Sequence, residues 1–179
     1  MEINFQFIGL LLLPWISALL VGLFAHQAKK YIASISISLS FIFAALTCYF
    51  NFDLSGQNLK IGYPWINMGH VSYFASFWVN SSAKLIAILV SIVGLFVQIF
   101  SKSYMEKDAN IGRYYAYLHG FVGAMVCLIF SDQIYVFYGS WELVGAFSYL
   151  LISFWHQKEA AIKAAKKAFL LNRIDRKST

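Results

Sequence analysis

The sequence predicts an all-α integral membrane fold, with five transmembrane helices and the start of a sixth in one membrane domain spanning residues 1–179. Three observations carry that prediction. Sixty per cent of the 179 residues are hydrophobic and only 12% are charged, against roughly 25% charge in an ordinary soluble domain. The apolar residues fall into separate runs of about 20, the length a helix needs to cross hydrocarbon. Lys and Arg gather in alternate links between those runs. The mean hydropathy of +0.64 and an aromatic content of 18% agree with a helical membrane protein carrying interfacial aromatic belts.

The first run, Phe5 to Ala25, contains Pro14, which neighbouring helices of a bundle can accommodate. The N-terminal Met1-Glu2-Ile3-Asn4 lacks the positive region and small-residue cleavage site of a signal peptide, so this run reads as retained. A basic link from His26 to Lys30 leads to the second run, Tyr31 to Phe50. Its Ser34, Ser36, Ser38 and Ser40 alternate with apolar residues as in a strand. In so long an apolar context they are expected instead as small polar residues of a packed helix. Residues 51–82 carry Gly56, Gly62, Pro64 and Gly69 and predict an extramembrane excursion, with a short hairpin within Leu59–Asn67. The third span runs from Ala83 to Phe100, with Lys84 at its mouth, where a long stem can snorkel outward. The fourth runs from Tyr114 to Phe130. Ser131-Asp132-Gln133 then offers a turn and an N-cap for the fifth, Ile134 to Trp155. Lys158 to Arg173 begins cationic and becomes apolar at Ala168–Leu171, like the opening of a sixth span. No period of 20–50 residues repeats, which excludes a solenoid.

Twelve of the 14 Lys and Arg residues lie in the links after spans one, three and five, while Lys60 and Lys84 alone lie on the other side. The positive-inside rule then places the N-terminus outside and the basic links in the cytoplasm or matrix. The net charge of +6 is thus accounted for by topology. Nucleic-acid binding would need those charges gathered on one folded surface, and no such partner is expected.

One residue stands out chemically. Glu142 is the single charge between Ile134 and Trp155. A carboxylate at the bilayer centre costs about 3 kcal/mol on insertion scales, so it is expected to face a bundle interior or a water-filled cavity, where it pairs with a cation or carries protons. A protonated Glu that holds helices together by hydrogen bonds is the structural alternative. Lys163, Lys166 and Lys167 share one helical face, as a positive-inside anchor or as supporting charges. Arg173 and Asp175 follow the apolar Phe169-Leu170-Leu171 and can pair with each other or with another span. His70, His119 and His156 are scattered, without the close spacing of a metal site, and His119 is expected in packing or at an interface rather than on a water path. Cys48 and Cys127 lie in apolar runs and read as small buried hydrophobes.

The stretch Ser140-Trp141-Glu142-Leu143-Val144-Gly145 followed by Ser148-Tyr149-Leu150-Leu151-Ile152 closely resembles the large antiporter-like subunit of respiratory complex I, subunit L of bacterial NADH–quinone oxidoreductase or subunit 5 of the mitochondrial enzyme. Tyr104-Met105, Arg113-Tyr114-Tyr115-Ala116-Tyr117 and Lys166-Lys167-Ala168-Phe169-Leu170-Leu171-Asn172-Arg173 support it. The resemblance implies that Glu142 is the buried carboxylate of a proton channel, with Lys163, Lys167, Arg173 and Asp175 as supporting charges. It implies a multi-pass place in the inner (cytoplasmic) membrane and other membrane subunits as partners. It also implies no cofactor in this chain: NADH and quinone are bound by other subunits. Related subunits of multi-subunit Na⁺/H⁺ antiporters or of ion-uptake complexes are the alternative, and a truncated remnant is a third reading.

Two positions depart from the family pattern. Asn80 stands where the family has an Asp at the start of span three, and Asn172-Arg173-Ile174-Asp175 lacks the family's Gly before the Asp. The family members also extend further, with a Lys partner for the Glu on a later helix. The chain is therefore expected to be an N-terminal piece of a longer subunit, inactive by itself.

Overall fold

The apolar runs fold as helices because a backbone in hydrocarbon must satisfy its own hydrogen bonds. The computed structural model describes residues 5–25, 31–53, 58–68, 71–105, 108, 110–155 and 159–174. In chain order these form α1 (Phe5–Phe24), α2 (Ile32–Asp53), β1 (Leu59–Met68), β2 (Val71–Val79), α3 (Ser81–Tyr104), α4 (Ile111–Phe130), α5 (Ile134–Ile152) and α6 (Glu159–Ile174). Among the described residues, four helices, α1 to α4, are long and apolar enough to cross a membrane. The fifth expected span, α5, has 19 residues interrupted by Ser140, Glu142 and Ser148 and is not among the four.

Helix α4 is the hub, packing against α1, α2, α3, α5 and β2. Its small residues allow this. A Cβ on Gly120 would lie 2.4 Å from the Phe147 ring of α5, and one on Gly123 would lie 3.1 Å from Trp15 and 3.3 Å from Pro14 of α1. Pro14 is thus seated against the closest approach of α1 and α4. The serines of α2 sort by helical spacing: Ser36 and Ser40 are buried with Phe43, Ala44 and Thr47, while Ser34 and Ser38 are exposed.

The excursion after α2 differs from the expectation in one respect. Leu59–Asn67 is not a hairpin by itself but lies in one strand, whose antiparallel partner is Val71–Val79, in register from Leu59↔Val79 to Met68↔Val71 with an irregularity between Pro64 and Ile66. The apolar residues past His70 form that second strand because alternate members have a core to enter. Ile61, Phe77 and Val79 are buried among Phe7, Phe50, Val126 and Phe130. The Phe7 ring meets Phe50, Phe77 and Phe130 at centroid distances of 5.9, 5.5 and 5.4 Å. The hairpin therefore closes the bundle where α1 begins and α2 ends. Burial beside Phe77 raises the pKa of Tyr63.

At the opposite end a second apolar layer joins Val21, Ile32, Met105, Ile111, Tyr115 and Phe154. Three local expectations change. Asp132 does not cap α5; the residue before that helix is Gln133, which makes no side-chain cap bond. Asp132 instead docks the hairpin: its N–H donates to Ser76 O at 3.0 Å, and its carboxylate receives Ser76 Oγ at 3.4 Å and pairs with Lys60 at 3.5 Å. Lys84 is buried (6% exposed) rather than snorkelling outward, since it lies on the α3 face that packs inward with Ala83 and Ala87. Cys48 is exposed on the outer face of α2, so only Cys127 is partly enclosed; both are free thiols.

Candidate functional site

Glu142 lies at the ninth of the 19 residues of α5, so at 1.5 Å per residue it sits about 12 Å from one helix end and about 15 Å from the other. The helix reaches the bundle through Phe147, which fills the groove over Gly120 and meets Trp15 at 5.9 Å. Ser140 and Gly145 are its buried residues. Glu142 is partly buried and flanked by the exposed Trp141 and Leu143. The carboxylate therefore occupies mid-helix depth on a helix packed against α4 and α6.

The supporting charges fall differently. Lys163 is exposed and pairs with Glu159 one turn earlier on α6, at 3.3 Å, a contact that contributes little when both groups are solvated. Lys167 is exposed on the same helix. Lys166 is the lysine brought against α5: with Tyr149, Phe169 and Leu170 it lines a cavity of about 360 Å³, where Tyr149 and Phe169 meet at 5.7 Å. Arg173 falls within the last turn of α6. Asp175, His70 and His156 lie outside the described residues.

Asn80, the position without the acid, caps α3: its Oδ1 accepts from Ala83 N–H at 2.7 Å. Asn and Asp serve equally as N-caps, so the helix start is kept without a charge.

A second polar group lies between α2, α3 and α4. Ser36 Oγ donates to Gln98 Oε1 at 2.8 Å and lies 2.9 Å from His119 Nε2. Ser36 and Gln98 are 0% exposed and His119 is 3% exposed. The Tyr115 hydroxyl donates to Gln98 O at 3.3 Å. His119 is thus held by hydrogen bonds in the bundle interior and not at an interface. Sequence reading passed over Gln98, although it shares the spacing of the other small or polar residues on that α3 face, Ala87, Ser91 and Ser101.

Membrane helices with an acid in the middle of a neighbouring helix and with buried polar groups describe a class, and comparison with known proteins specifies it. Two family profiles match in tandem: "NADH-Ubiquinone oxidoreductase (complex I), chain 5 N-terminus" over residues 65–115 and "NADH:quinone oxidoreductase/Mrp antiporter, TM" over residues 131–176. The chain is a multi-pass membrane protein of this antiporter-like class. Within the class, it resembles the N-terminal part of NADH–quinone oxidoreductase subunit L.

Subunit L of Rickettsia bellii is 38% identical over 93% of this chain and 27% of its own length. The chloroplastic NAD(P)H-quinone oxidoreductase subunit 5 of Physcomitrium patens is 32% identical over 97% of this chain and 26% of its own. The chain thus spans about a quarter of the length of the curated relatives it matches. The fold recurs in an archaeal membrane-bound sulfane sulfur reductase, with a TM-score of 0.77 and 17% identity over 93% of this chain and 34% of that one. It recurs also in the Mrp complex of a Dietzia species, with a TM-score of 0.74 and 19% identity over 90% of this chain and 17% of that one.

Proposed function

We propose that this chain forms the N-terminal part of a membrane-arm subunit of a proton-translocating NADH–quinone oxidoreductase, and that Glu142 is its proton-carrying carboxylate. The observation that carries this reading is Glu142 itself, the lone charge of α5 at mid-helix depth, in Trp141-Glu142-Leu143-Val144-Gly145. A carboxylate there is retained at a cost of about 3 kcal/mol, and a group in that position can change its protonation as neighbouring charges approach or withdraw. No redox chemistry is assigned to this chain. NADH and quinone belong to other subunits, and their reaction would drive the charge changes that Glu142 senses.

The same reading makes α5 a fifth span and α6 the opening of a sixth. It sets the basic links on the inner side of the inner (cytoplasmic) membrane, with other membrane subunits as partners. The exposed outer faces of α1, α2 and α3, with Leu19, Leu23, Phe41, Phe52, Leu85 and Phe96, suit lipid tails or those partners. On α6, Lys166 joins Lys163, Lys167 and Arg173 as a supporting charge, because it borders the α5–α6 cavity. An Na⁺/H⁺ antiporter subunit is the second reading, favoured by the profile over residues 131–176, which spans both kinds of complex.

The test is Glu142→Gln in the assembled parent complex, with NADH-driven acidification of inverted vesicles as the readout. Proton uptake is expected to fall to the level of uncoupled vesicles while the complex still assembles, and Glu142→Asp is expected to restore part of it. Undiminished, uncoupler-sensitive uptake in Glu142→Gln would overturn the reading. Sodium-dependent proton exchange without NADH would favour the antiporter.

A further inference from the structure

The hydrogen bonds of the α2–α3–α4 group have a direction. With the Gln98 amide oriented so that Ser36 gives its one hydroxyl proton to Oε1, His119 Nε2 at 2.9 Å is the donor to Ser36 Oγ. That tautomer leaves His119 Nδ1 as the basic nitrogen. It also leaves Gln98 Nε2 with no partner among the described residues, although the side chain is 0% exposed. Reversing the Gln98 amide reverses the chain and strands Oε1 in place of Nε2, so one polar atom is orphaned in either orientation. Leaving a buried polar group unsatisfied costs about 1–3 kcal/mol. Internal water is the usual remedy where several polar groups converge.

The position of the group fits exchange with one side of the membrane. Ser36 is four residues from the start of α2, and Gln98 six from the end of α3, so both lie within about 10 Å of the helix ends that carry the basic links. One turn beyond Gln98, Ser101 Oγ lies 2.9 Å from the Tyr114 hydroxyl, which continues the polar groups toward the exposed Lys102. Glu142 lies deeper.

We propose that Ser36, Gln98 and His119 form a second proton-binding site, hydrated by internal water, separate from Glu142 and nearer the basic end of the bundle. A proton delivered by water binds His119 Nδ1. The resulting imidazolium keeps its Nε2–H bond to Ser36, whose hydroxyl still donates to Gln98 Oε1, and the proton returns to water on release. In that orientation of the Gln98 amide the network serves both charge states without rearranging. The titratable groups around it are few. Helix α1 has none, and α2 carries Cys48, Tyr49 and Asp53, three or more turns past Ser36. Helix α3 carries Lys84 nearly four turns away and Lys102 and Tyr104 within two. Helix α4 itself carries Arg113, Tyr114, Tyr115, Tyr117 and Cys127, and α5 Tyr135, Tyr138, Glu142 and Tyr149. Strand β2 meets α4 at its far end, beside Ser131.

Solid-state NMR of the full chain in lipid bilayers with ¹⁵N-labelled histidine reads the site directly, His119 being assigned from the signal missing in His119→Gln. The expected result is magnetisation transfer from water to the His119 imidazole, with conversion to imidazolium on acidification between about pH 9 and pH 3. Gln98→Leu is expected to abolish the water transfer. An imidazole in the wild-type chain that stays neutral over that range and receives nothing from water overturns the proposal, whichever way the variants behave. The proposal deepens the proton-translocation reading yet fails separately from it. A dry His119 leaves the Glu142→Gln result standing, and undiminished pumping in Glu142→Gln leaves a titrating His119 intact.

Discussion

The two polar regions of the bundle are built oppositely. Ser36, Gln98 and His119 are enclosed, at most 3% exposed, each within hydrogen-bond reach of another member. Glu142 carries the ionisable acid, yet it is only partly buried on α5, which is packed against α4 and α6. The difference follows from cost. A trio joined by short hydrogen bonds can be buried by three helices of one chain, whereas a carboxylate demands compensation of several kcal/mol.

The comparison can be broken or sharpened by substitution. The largest expected effect is the loss of proton coupling in Glu142→Gln described above, set against retained assembly. Next comes the seam between the regions. Gly120→Ala puts a Cβ 2.4 Å from Phe147, a ring that also meets Trp15 at 5.9 Å. A loss of about 1–3 kcal/mol of stability is expected from such overpacking, measured as a lower unfolding midpoint in detergent, with Phe147→Leu in the same chain recovering part of it. An additive double mutant would show that the two side chains do not meet.

Ser36→Ala addresses the enclosed region alone. It removes the hydroxyl that joins Gln98 to His119, and about 1–3 kcal/mol is expected for the polar atoms left unpaired. Proton uptake by the assembled complex is a separate readout, and stability unchanged in Ser36→Ala would mean that water replaces the hydroxyl. The smallest effect is expected at Lys163→Ala. Its partner Glu159 is one turn away and both are exposed, so any change should stay within about 0.5 kcal/mol. A large loss of pumping there would reveal a role for Lys163 beyond that pair.

Much of this was legible in the chain itself. Run lengths gave the helices, and Glu142 was conspicuous because charge is rare in α5. The hairpin was half legible. Pro64 and the glycines marked an excursion, but the strand Val71–Val79 looked like any apolar stretch until Phe77 and Val79 found Phe7 and Phe130 to pack on. Asp132 looked like a cap because cap and dock use the same carboxylate. Which it serves depends on Ser76 and Lys60, 56 and 72 residues away. Gln98 and His119 were harder still, since a single polar residue on an apolar helix has no local signature of its partner.

The sequence alone determined that the chain lies in a membrane, where its helices run and which carboxylate is out of place, because hydrocarbon enforces length and penalises charge residue by residue. Tertiary structure decided that Ser36 meets His119 across 83 residues of chain, that Lys166 rather than Lys163 or Lys167 lines the cavity beside α5, and that α4 is the hub. Those depend on which helix faces meet. That choice is set by the fit of small residues against large ones over distances that no local pattern records.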